Sequence, residues 1–384
     1  GVTGSQASVG NYSYLASYNT SVYPFGISSG NQTALVSSTL ANPYIHWEEV
    51  AQTNIGFDAS LFNSRVMFSF DAYLKETRDM LVKASIPITS GFEDTTTTYT
   101  NAGKVRNQGI EMSLHTINLT GELGWETNLT ATYNKNKIKD LNSDVPYYIN
   151  QINNSYVTML AKDYPINVFY GYVTDGIFQN QSEVNTHAVQ PGAEPGDIRF
   201  IDQNGDGMLD TNDRVKVGSG TPKVSLGFNI NLAYKDFDLV ANFYGDFGAK
   251  RYNYTKYQLE RMDHVFNYGK NALNAWTPEN PDTDIPRAVS GDPNKNSRTS
   301  TRFVENGDYL RLNNLQIGYN LPVKYCKKMG LSNLRIYVGA TRLFTITNYK
   351  GYDPSTGSSV GQMGYDYAAI PLSRDFMMGL KFGF

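Results

Sequence analysis

Apolar and polar residues alternate with a period of two along nine segments of this chain. In residues 50–62 the apolar positions include Ile55, Phe57, Ala59 and Leu61, and mainly polar residues occupy the positions between them. Successive side chains of a β-strand point to opposite faces of the sheet, so this pattern predicts strands with one apolar and one polar face. The predicted strands are 50–62, 65–77, 104–117, 122–138, 222–234, 237–249, 308–321, 332–346 and 373–384.

The last predicted strand keeps its alternation to the end of the chain. Its apolar residues occupy every second position and finish on an aromatic side chain: Phe376, Met378, Leu380, Phe382 and Phe384. Strands of outer-membrane barrels alternate lipid-facing with lumen-facing side chains and place aromatic residues at the membrane interface. The pattern favours such a strand over the alternative, an edge strand of an ordinary sheet.

The connections between the predicted strands fall into two classes that alternate along the chain. Short turns are predicted at 63–64, 118–121 and 235–236, whereas long polar segments cover 2–49, 78–103, 139–221, 250–307 and 347–372. Transmembrane barrels show this asymmetry, with short periplasmic turns and long extracellular loops. The final strand then ends in the periplasm, provided that 165–174 and 197–201 belong to the long segment and not to the barrel wall.

We expect nine wall strands, together with the tail of a further strand at Gly1. Single-chain bacterial barrels have even numbers of strands, so nine cannot close a barrel alone. Residues 1–384 are therefore expected to form one segment of a larger antiparallel transmembrane β-barrel, an all-β fold, with the remaining strands supplied from outside this chain.

The composition narrows the class of protein further. The 384 residues are 40% hydrophobic and only 18% charged, and they include 28 Tyr and 19 Phe. No segment approaches the roughly 18 consecutive apolar residues of a membrane helix, so we expect any membrane crossing to be made by strands. The net charge of −3 and the lack of a basic stripe argue against a nucleic-acid partner. Cys326 is the single cysteine, which excludes an internal disulfide and a cysteine metal site.

Several longer segments carry a family resemblance. They are 42–49 (NPYIHWEE), 54–58 (NIGFD), 71–81 (DAYLKETRDML), 101–111 (NAGKVRNQGIE), 195–200 (PGDIRF), 276–281 (WTPENP) and 309–315 (YLRLNNL). In this order they resemble the SusC/RagA family of TonB-dependent outer-membrane transporters, and the resemblance covers the whole chain.

The resemblance implies a barrel of about 22 strands, closed by an N-terminal plug and covered by a SusD-like surface lipoprotein. Such a protein resides in the bacterial outer membrane and actively imports oligomeric nutrients, glycan or peptide, with energy delivered by TonB. This chain resembles the C-terminal barrel portion, and the plug and the TonB-contacting segment have no counterpart in it. The alternatives are a passive porin-type channel and a soluble, calcium-stabilised all-β binding module.

Residues 202–213, here called the calcium-type loop, resemble the layout of a calcium-binding loop. Oxygen side chains stand at positions 1, 3, 5, 9 and 12, a glycine (Gly207) stands at position 6, and a backbone carbonyl is the expected ligand at position 7. A hard cation with six to eight oxygen ligands requires such a tight wrap. We expect a structural Ca²⁺, and the alternative is a polar surface turn. The expected ligands are Asp202, Asn204, Asp206, Met208, Asp210 and Asp213.

Catalysis has no support in the sequence. His46, His115, His187 and His264 are scattered without metal-ligand spacing, and neither a nucleophile-elbow nor a P-loop motif occurs. We therefore expect no enzyme activity. Tyrosines are abundant in the long connections among Asn and Asp residues, a combination that suits sugar rings or peptide backbones. The alternative role for these aromatic side chains is packing within the loops and against the lipoprotein.

Overall fold

The computed structural model describes residues 1–5, 14–24, 31–85, 97–101, 103–141, 146–152, 155–166, 168–263, 267–355 and 363–384. The strands are β1 Val2–Ser5, β2 Ser17–Pro24, β3 Asn31–Thr39, β4 Glu48–Leu61, β5 Val66–Arg78, β6 Leu81–Ser85, β7 Thr97–Asn101, β8 Lys104–Leu119, β9 Leu123–Asp140, β10 Tyr147–Ile152, β11 Ser155–Leu160, β12 Val168–Gly171, β13 Thr174–Ile177, β14 Ile198–Phe200, β15 Val215–Ser219, β16 Val224–Tyr234, β17 Phe237–Phe247, β18 Lys250–Asn253, β19 Val304–Asn306, β20 Tyr309–Asn320, β21 Asn333–Thr347, β22 Tyr365–Asp366 and β23 Asp375–Gly383.

Helices are few and short. They are α1 Gln181–Thr186, α2 Tyr254–Glu260 and α3 Val323–Lys328, with 3₁₀ turns at Thr211–Asp213 and Lys270–Asn274. Within the described residues, none of these helices is both long and apolar enough to span a membrane.

Ten strands form one large antiparallel sheet in the order β1-β4-β5-β8-β9-β16-β17-β20-β21-β23. Neighbours in this order are also neighbours along the chain once the strands of the long connections are set aside. All nine strands that the alternation predicts lie in this sheet, and β1, which pairs with β4, is the expected tail. The open sheet is the expected all-β architecture of a barrel portion, because β1 and β23 are not paired with each other.

One face of the large sheet is a continuous apolar band. Phe57 is in register with Phe70, and Phe70 is in register with Met112, so the apolar positions continue from strand to strand. On β23, Phe376 and Met378 are 74% and 75% exposed. Aromatic and aliphatic side chains exposed in such a row have no protein partner, which is the state expected of a lipid-facing surface.

The opposite face carries polar side chains in matching rows. One row runs across five strands, from His115 through Asn128, Asn229 and Asn242 to Asn314. Amide and imidazole groups on this face point into the space that a closed barrel would enclose. The sheet therefore separates a lipid-compatible surface from a polar lumen.

Two of the short connections differ from the prediction. The connection between β8 and β9 covers three residues, 120–122, and not the four predicted at 118–121. The turn at 235–236 has the predicted length, whereas the connection between β4 and β5 spans four residues, 62–65, and not two. Phe62, Asn63 and Ser64 all have positive φ angles of 55° to 63°. The alternation of apolar and polar residues does not predict this uncommon backbone conformation. A further short connection, between β20 and β21, contains α3 and buries Cys326.

The long connections fold together beyond one end of the strands of the large sheet. Here they are called the loop layer, meaning the described residues of 141–223, 248–308 and 348–374. Its main core joins three separate connections: Val157 and Phe169 come from the first, Tyr252 and Phe303 from the second, and Tyr365 from the third. A second buried cluster, Ile177, Ile198, Phe200 and Leu209, lies within the first connection. The three connections are joined to one another by the main core, whose members are distant in sequence.

Candidate functional site

The loop layer contains small sheets that hold its segments in place. β10, β11, β12 and β15 form a four-stranded antiparallel sheet. β18 pairs with β19 in antiparallel fashion and with β22 in parallel fashion. The parallel pair joins residues more than one hundred positions apart, and it brings the second and third connections into one structure over the mouth of the barrel portion.

A buried carboxylate organises the segment 195–200. Asp197 is fully buried and accepts hydrogen bonds from Arg287 Nε and Nη2, each at 3.0 Å, and from Asn296 Nδ2 at 2.8 Å. Arg287 also contacts Glu194 at 2.6 Å. The bidentate contact with Asp197 raises the pKa of Arg287 above its ordinary value. A charged pair with satisfied partners can be held in the interior, so this contact links two connections.

Two of the sequence segments that carry the resemblance meet at Gly196 and Trp276. Gly196 has a φ of +91°, and a Cβ atom placed there would lie 2.4 Å from the ring of Trp276. Trp276 Nε1 donates a hydrogen bond to Gln179 Oε1 at 3.0 Å. The segments 195–200 and 276–281 are therefore structural anchors of the loop layer, a role that the sequence reasoning did not assign to them.

The calcium-type loop wraps around its own backbone. Asp202 accepts hydrogen bonds from the amides of Gly205 at 2.7 Å and Gly207 at 2.8 Å. The side chain of Asn204 accepts from the amide of Asp206 at 2.9 Å. Gly205 and Gly207 have positive φ angles of 73° and 83°, which permits the sharp turns of this wrap.

The other end of the loop is closed by a buried carboxylate. Asp213 is fully buried and accepts hydrogen bonds from the amides of Gln203 and Asp210, both at 2.8 Å. This carboxylate therefore joins the second residue of the loop, Gln203, to the last, Asp213. At the exposed end, the amide hydrogen bonds, led by that of Gly207, lower the pKa of Asp202, with the side chain of Asp213 among the smaller causes.

The predicted calcium ligands lie in one loop, where their side chains accept hydrogen bonds from backbone amides of the same loop. Among the described residues, no group of three or more His, Cys, Asp or Glu side chains is arranged to hold a metal ion. Asp206 accepts a hydrogen bond from the amide of Met208 at 2.9 Å, and Asp210 accepts one from Asn212 at 2.6 Å. Carboxylate, amide and carbonyl oxygens suit calcium chemically. The calcium site therefore stays a prediction.

Packing accounts for several of the loop tyrosines. Tyr252, Tyr257 and Tyr349 are buried, and the Tyr349 hydroxyl donates to Asp366 at 2.6 Å. Burial, with Asp366 as a further cause, raises the pKa of Tyr349. Among the described residues, the exposed tyrosines of the long connections are Tyr14, Tyr18, Tyr44, Tyr156, Tyr164, Tyr352 and Tyr367. Six aromatic or histidine residues of the long connections lie outside the described side chains: Tyr12, Tyr23, Tyr147, Tyr148, His264 and Phe266.

Two tyrosines form a stacked pair at the surface of the loop layer. The rings of Tyr254 and Tyr367 lie 4.3 Å apart at an interplanar angle of 17°. Tyr365 stacks on Tyr367 in turn, with centroids 5.8 Å apart. Tyr367 is exposed, so this pair offers an aromatic face at the surface of the loop layer.

Two adjoining cavities with charged walls lie beside this aromatic group. Their volumes are about 430 and 420 Å³, and Lys256, Asp284 and Lys350 line both. Arg302 lines the second cavity, and burial lowers its pKa to about 10. Its Nη2 donates to the carbonyl of Glu260 at 2.9 Å, whereas Nε and Nη1 have no hydrogen-bond partner among the described residues. Sequence reasoning missed this charged group because its members come from separate segments.

A third cavity, of about 790 Å³, lies between the calcium-type loop and the segment 293–298. Its walls include Tyr172, Arg214 and Arg298, and Asp210 of the loop also lines it. The guanidinium of Arg298 lies 4.8 Å from the ring centre of Tyr172. Guanidinium and aromatic groups in one concave surface suit ring-shaped polar ligands.

Comparison with known proteins places these features in a family. Residues 6–348 match the family model described as "TonB dependent receptor-like, beta-barrel". The chain is 33% identical to TonB-dependent receptor P3 of Formosa agariphila, with 100% of this chain and 38% of that protein aligned. It is 27% identical to TonB-dependent receptor SusC of Bacteroides thetaiotaomicron, with 100% and 37% aligned.

A solved structure, described as that of the RagAB peptide transporter, matches the fold with a TM-score of 0.81 and 26% sequence identity. The match covers 99% of this chain and 39% of that chain. The chain spans between 36% and 39% of the length of the curated relatives that it matches. The family is one of transporters and receptors and not of enzymes.

The open ten-stranded sheet, its apolar outer band and its loop layer agree with these matches. The chain therefore belongs to the TonB-dependent receptor β-barrel family of the bacterial outer membrane, and along its whole length it is similar to SusC and to the structure of the RagAB peptide transporter.

Proposed function

We propose that the full-length protein containing this chain imports oligomeric nutrients, glycan or peptide, by TonB-dependent active transport, together with a SusD-like surface lipoprotein. The observation that carries this proposal is the folded loop layer, with its exposed stacked tyrosines, above a polar lumen. The similarity to SusC and to the RagAB peptide transporter along the whole chain supports it.

The size and number of the cavities favour an oligomer over a single small molecule. Two adjoining cavities of about 430 and 420 Å³ and a third of about 790 Å³ are lined largely by polar and charged side chains, with Tyr352 in the first and Tyr156 and Tyr172 in the third. Each has the volume of a drug-sized ligand site, so an oligomer can place successive units in neighbouring cavities. Several weak contacts in series give useful affinity without one deep pocket. No catalytic step is part of this proposal.

An uptake experiment distinguishes active import from a passive channel. In the native host, the gene for the full-length protein is deleted and restored, and uptake of defined glycan and peptide oligomers is measured with and without TonB. Active import predicts uptake that requires both this protein and TonB. Uptake that continues without TonB would support the porin-type alternative and refute the proposal.

Two further measurements examine the partner and the soluble alternative. Affinity purification of the full-length protein from detergent-solubilised outer membranes should recover a SusD-like lipoprotein in near-equal amount. The soluble binding module predicts extraction without detergent. Recovery of the protein in a salt wash, with no lipoprotein attached, would therefore contradict both the membrane location of this protein and the proposed pairing.

A further inference from the structure

The largest of the three cavities in the loop layer carries an excess of positive charge. It is the cavity of about 790 Å³ beside the calcium-type loop, here called the arginine cavity. Arg214, Lys295 and Arg298 line it, and Asp210 is the one carboxylate among its lining residues. The family match assigns this cavity no ligand, and the transport proposal leaves the charge of the substrate open.

Packing and hydrogen bonds fix the guanidinium of Arg298 at the wall of the arginine cavity. It lies 4.8 Å from the ring centre of Tyr172 and 4.5 Å from that of Phe200. Its Nε donates a hydrogen bond to the carbonyl of Lys295 at 3.0 Å, and its Nη2 donates to that of Asn294 at 2.6 Å. Rings and carbonyl groups are neutral, so these contacts orient the side chain without supplying a counter-charge. Among the described residues, neither Arg298 nor Lys295 forms an ion pair with a carboxylate.

Arg214 brings a second guanidinium to the same place from a different part of the chain. Its Nη2 donates to the carbonyl of Tyr156 on β11 at 2.7 Å and to that of Tyr170 on β12 at 3.1 Å. Burial raises the pKa of Tyr172, and the charges of Arg298 and Arg214 act against that increase. Both arginines therefore lie near one phenol hydroxyl, where their electrostatic potentials add.

The acidic residues in and near the cavity do not cancel this positive charge. Asp292 is buried, and its carboxylate accepts hydrogen bonds from the amide of Ser297 at 2.9 Å and from its hydroxyl at 2.6 Å. Burial lowers the pKa of Arg298, and the opposing effect of the Asp292 charge does not offset it. A cation in this state lacks a full counter-charge, which an anionic ligand would supply.

The remaining walls of the cavity favour a sugar ring over an extended peptide. Tyr156 is exposed and Tyr172 is half-buried, and aromatic faces suit ring-shaped ligands with polar groups at their rim. Extended peptides are commonly bound by hydrogen bonds to a free strand edge. Both β11 and β12 are already paired on two sides, and Pro191 and Pro293 of the walls have no backbone N–H to donate.

We propose that the arginine cavity binds a uronic acid unit, and hence that the imported oligomer is an acidic glycan. A guanidinium presents paired N–H donors that match the two oxygens of a carboxylate, and two such groups lie here beside tyrosine rings. The volume of about 790 Å³ lies in the upper part of the range for drug-sized ligands, which includes a disaccharide. This inference rests on the proposed transport function, because it names the class of substrate that would be carried.

The test measures binding of defined oligomers to the full-length protein in detergent by calorimetry. The probes are an oligogalacturonate and an oligomannuronate, each compared with its carboxyl-reduced, neutral form of the same length. An oligoglutamate of equal charge represents an acidic peptide. We expect the wild type to bind a uronate at least tenfold more tightly than its neutral form, and more tightly than the oligoglutamate. This preference should decrease as salt is added, because mobile ions screen the attraction.

Three variants examine whether the preference arises in this cavity. Arg298→Gln should weaken uronate binding roughly 10- to 150-fold, through loss of a charged hydrogen-bond donor, and change binding of the neutral form by less than about twofold. Lys295→Gln should weaken uronate binding about two- to fivefold, because Lys295 is exposed. The matched control, Lys162→Gln, removes one exposed charge from the first connection, outside the cavity lining, and should bind as the wild type does. Heat-modifiable migration establishes folding, and if Arg298→Gln does not fold, the comparison of Lys295→Gln with Lys162→Gln decides.

Three results would overturn the inference. The first is equal affinity of the wild type for each uronate and its neutral form. The second is tighter binding of the oligoglutamate than of both uronates, which would assign the cavity to acidic peptides. The third is an equal loss of acidic and neutral glycan binding in Arg298→Gln, or no difference between Lys295→Gln and Lys162→Gln, since the cavity would then hold no carboxylate.

Failure of this inference and failure of the transport proposal give different results. TonB takes no part in the binding measurement. Uptake that requires TonB, together with equal binding of acidic and neutral glycans, would refute the uronate site and leave the transport proposal standing. Uptake that continues without TonB would refute the transport proposal, whereas the uronate preference and its loss in Arg298→Gln would still be observed.

Discussion

Arginine placed at the centre of β16 tests which face of the sheet meets lipid. Phe228 and Ile230 lie on the apolar face, within one residue of the middle of this strand. Phe228 is in register with Leu129 and Phe243, and the rings of Phe228 and Phe243 are 6.3 Å apart. Phe228→Arg and Ile230→Arg each replace an apolar side chain in this band by a charge.

The expected loss of folding free energy follows from the depth of these two positions in the bilayer. The 11 residues of β16 span about 29 Å of height at a rise of 3.4 Å per residue and a tilt of about 40°, close to the thickness of the hydrocarbon core. Its centre therefore lies near the bilayer midplane. Arginine there costs about 2–4 kcal/mol, which lowers the folding equilibrium constant by roughly 25- to 700-fold.

Asn229→Arg is the matched control. Asn229 lies between the two outward positions and is in register with Asn128 and Asn242 on the polar face. Arginine at this position enters the lumen, where water and amide groups can solvate it. We expect its free energy of folding to stay within about 0.5 kcal/mol of the wild-type value.

The assay is folding of the full-length protein into lipid vesicles along a urea series, read by heat-modifiable migration, together with the amount assembled in outer membranes. The two outward variants should separate clearly from Asn229→Arg. Equal folding free energies for all three variants, or a larger loss for Asn229→Arg, would refute the assignment of the apolar face to lipid.

Four further predictions concern the terminus and the loop layer. Deleting Phe384 should lower the amount of assembled barrel, measured in outer-membrane fractions, whereas wild-type amounts would contradict a role for the terminal strand in assembly. Asp206→Ala should weaken calcium binding at least tenfold by calorimetry and leave barrel assembly intact; the prediction fails if the wild type binds no calcium. Asp197→Ala leaves buried donors without an acceptor and should reduce the local opening free energy of the loop layer by about 3 kcal/mol, detectable by hydrogen exchange, and unchanged protection would count against it. The pKa of Asp202 is lowered in the folded loop, so the ionised carboxylate stabilises the loop fully above pH 3.8, its ordinary pKa. This stabilisation is lost as the pH falls through the lower folded-state pKa, and amide exchange at Gly205 would report the loss.

The sequence alone determined the strands of the large sheet. Alternation along a strand is a local property, because each side chain's face depends only on the parity of its position. For that reason the nine strands, the turn at 235–236 and the apolar face of β23 follow from the order of residues. The turn at 62–65 does not, since its three positive φ angles depend on backbone strain that an apolar pattern does not encode.

The family segments also came from the sequence, but their physical roles did not. The segment 195–200 was recognised as a motif, whereas its buried contact between Asp197 and Arg287 joins residues 90 positions apart. Likewise, the calcium-type loop was evident from its spacing. Only the structure showed that Asp213 closes the loop onto the amides of Gln203 and Asp210.

The tertiary structure decided everything that required distant segments to meet. It separated buried tyrosines such as Tyr252 from exposed ones such as Tyr367, and it placed Arg302 beside Glu260. In long polar connections no period marks one face as inward. Whether a side chain there is buried depends on which other connection packs against it, and only the tertiary structure shows that.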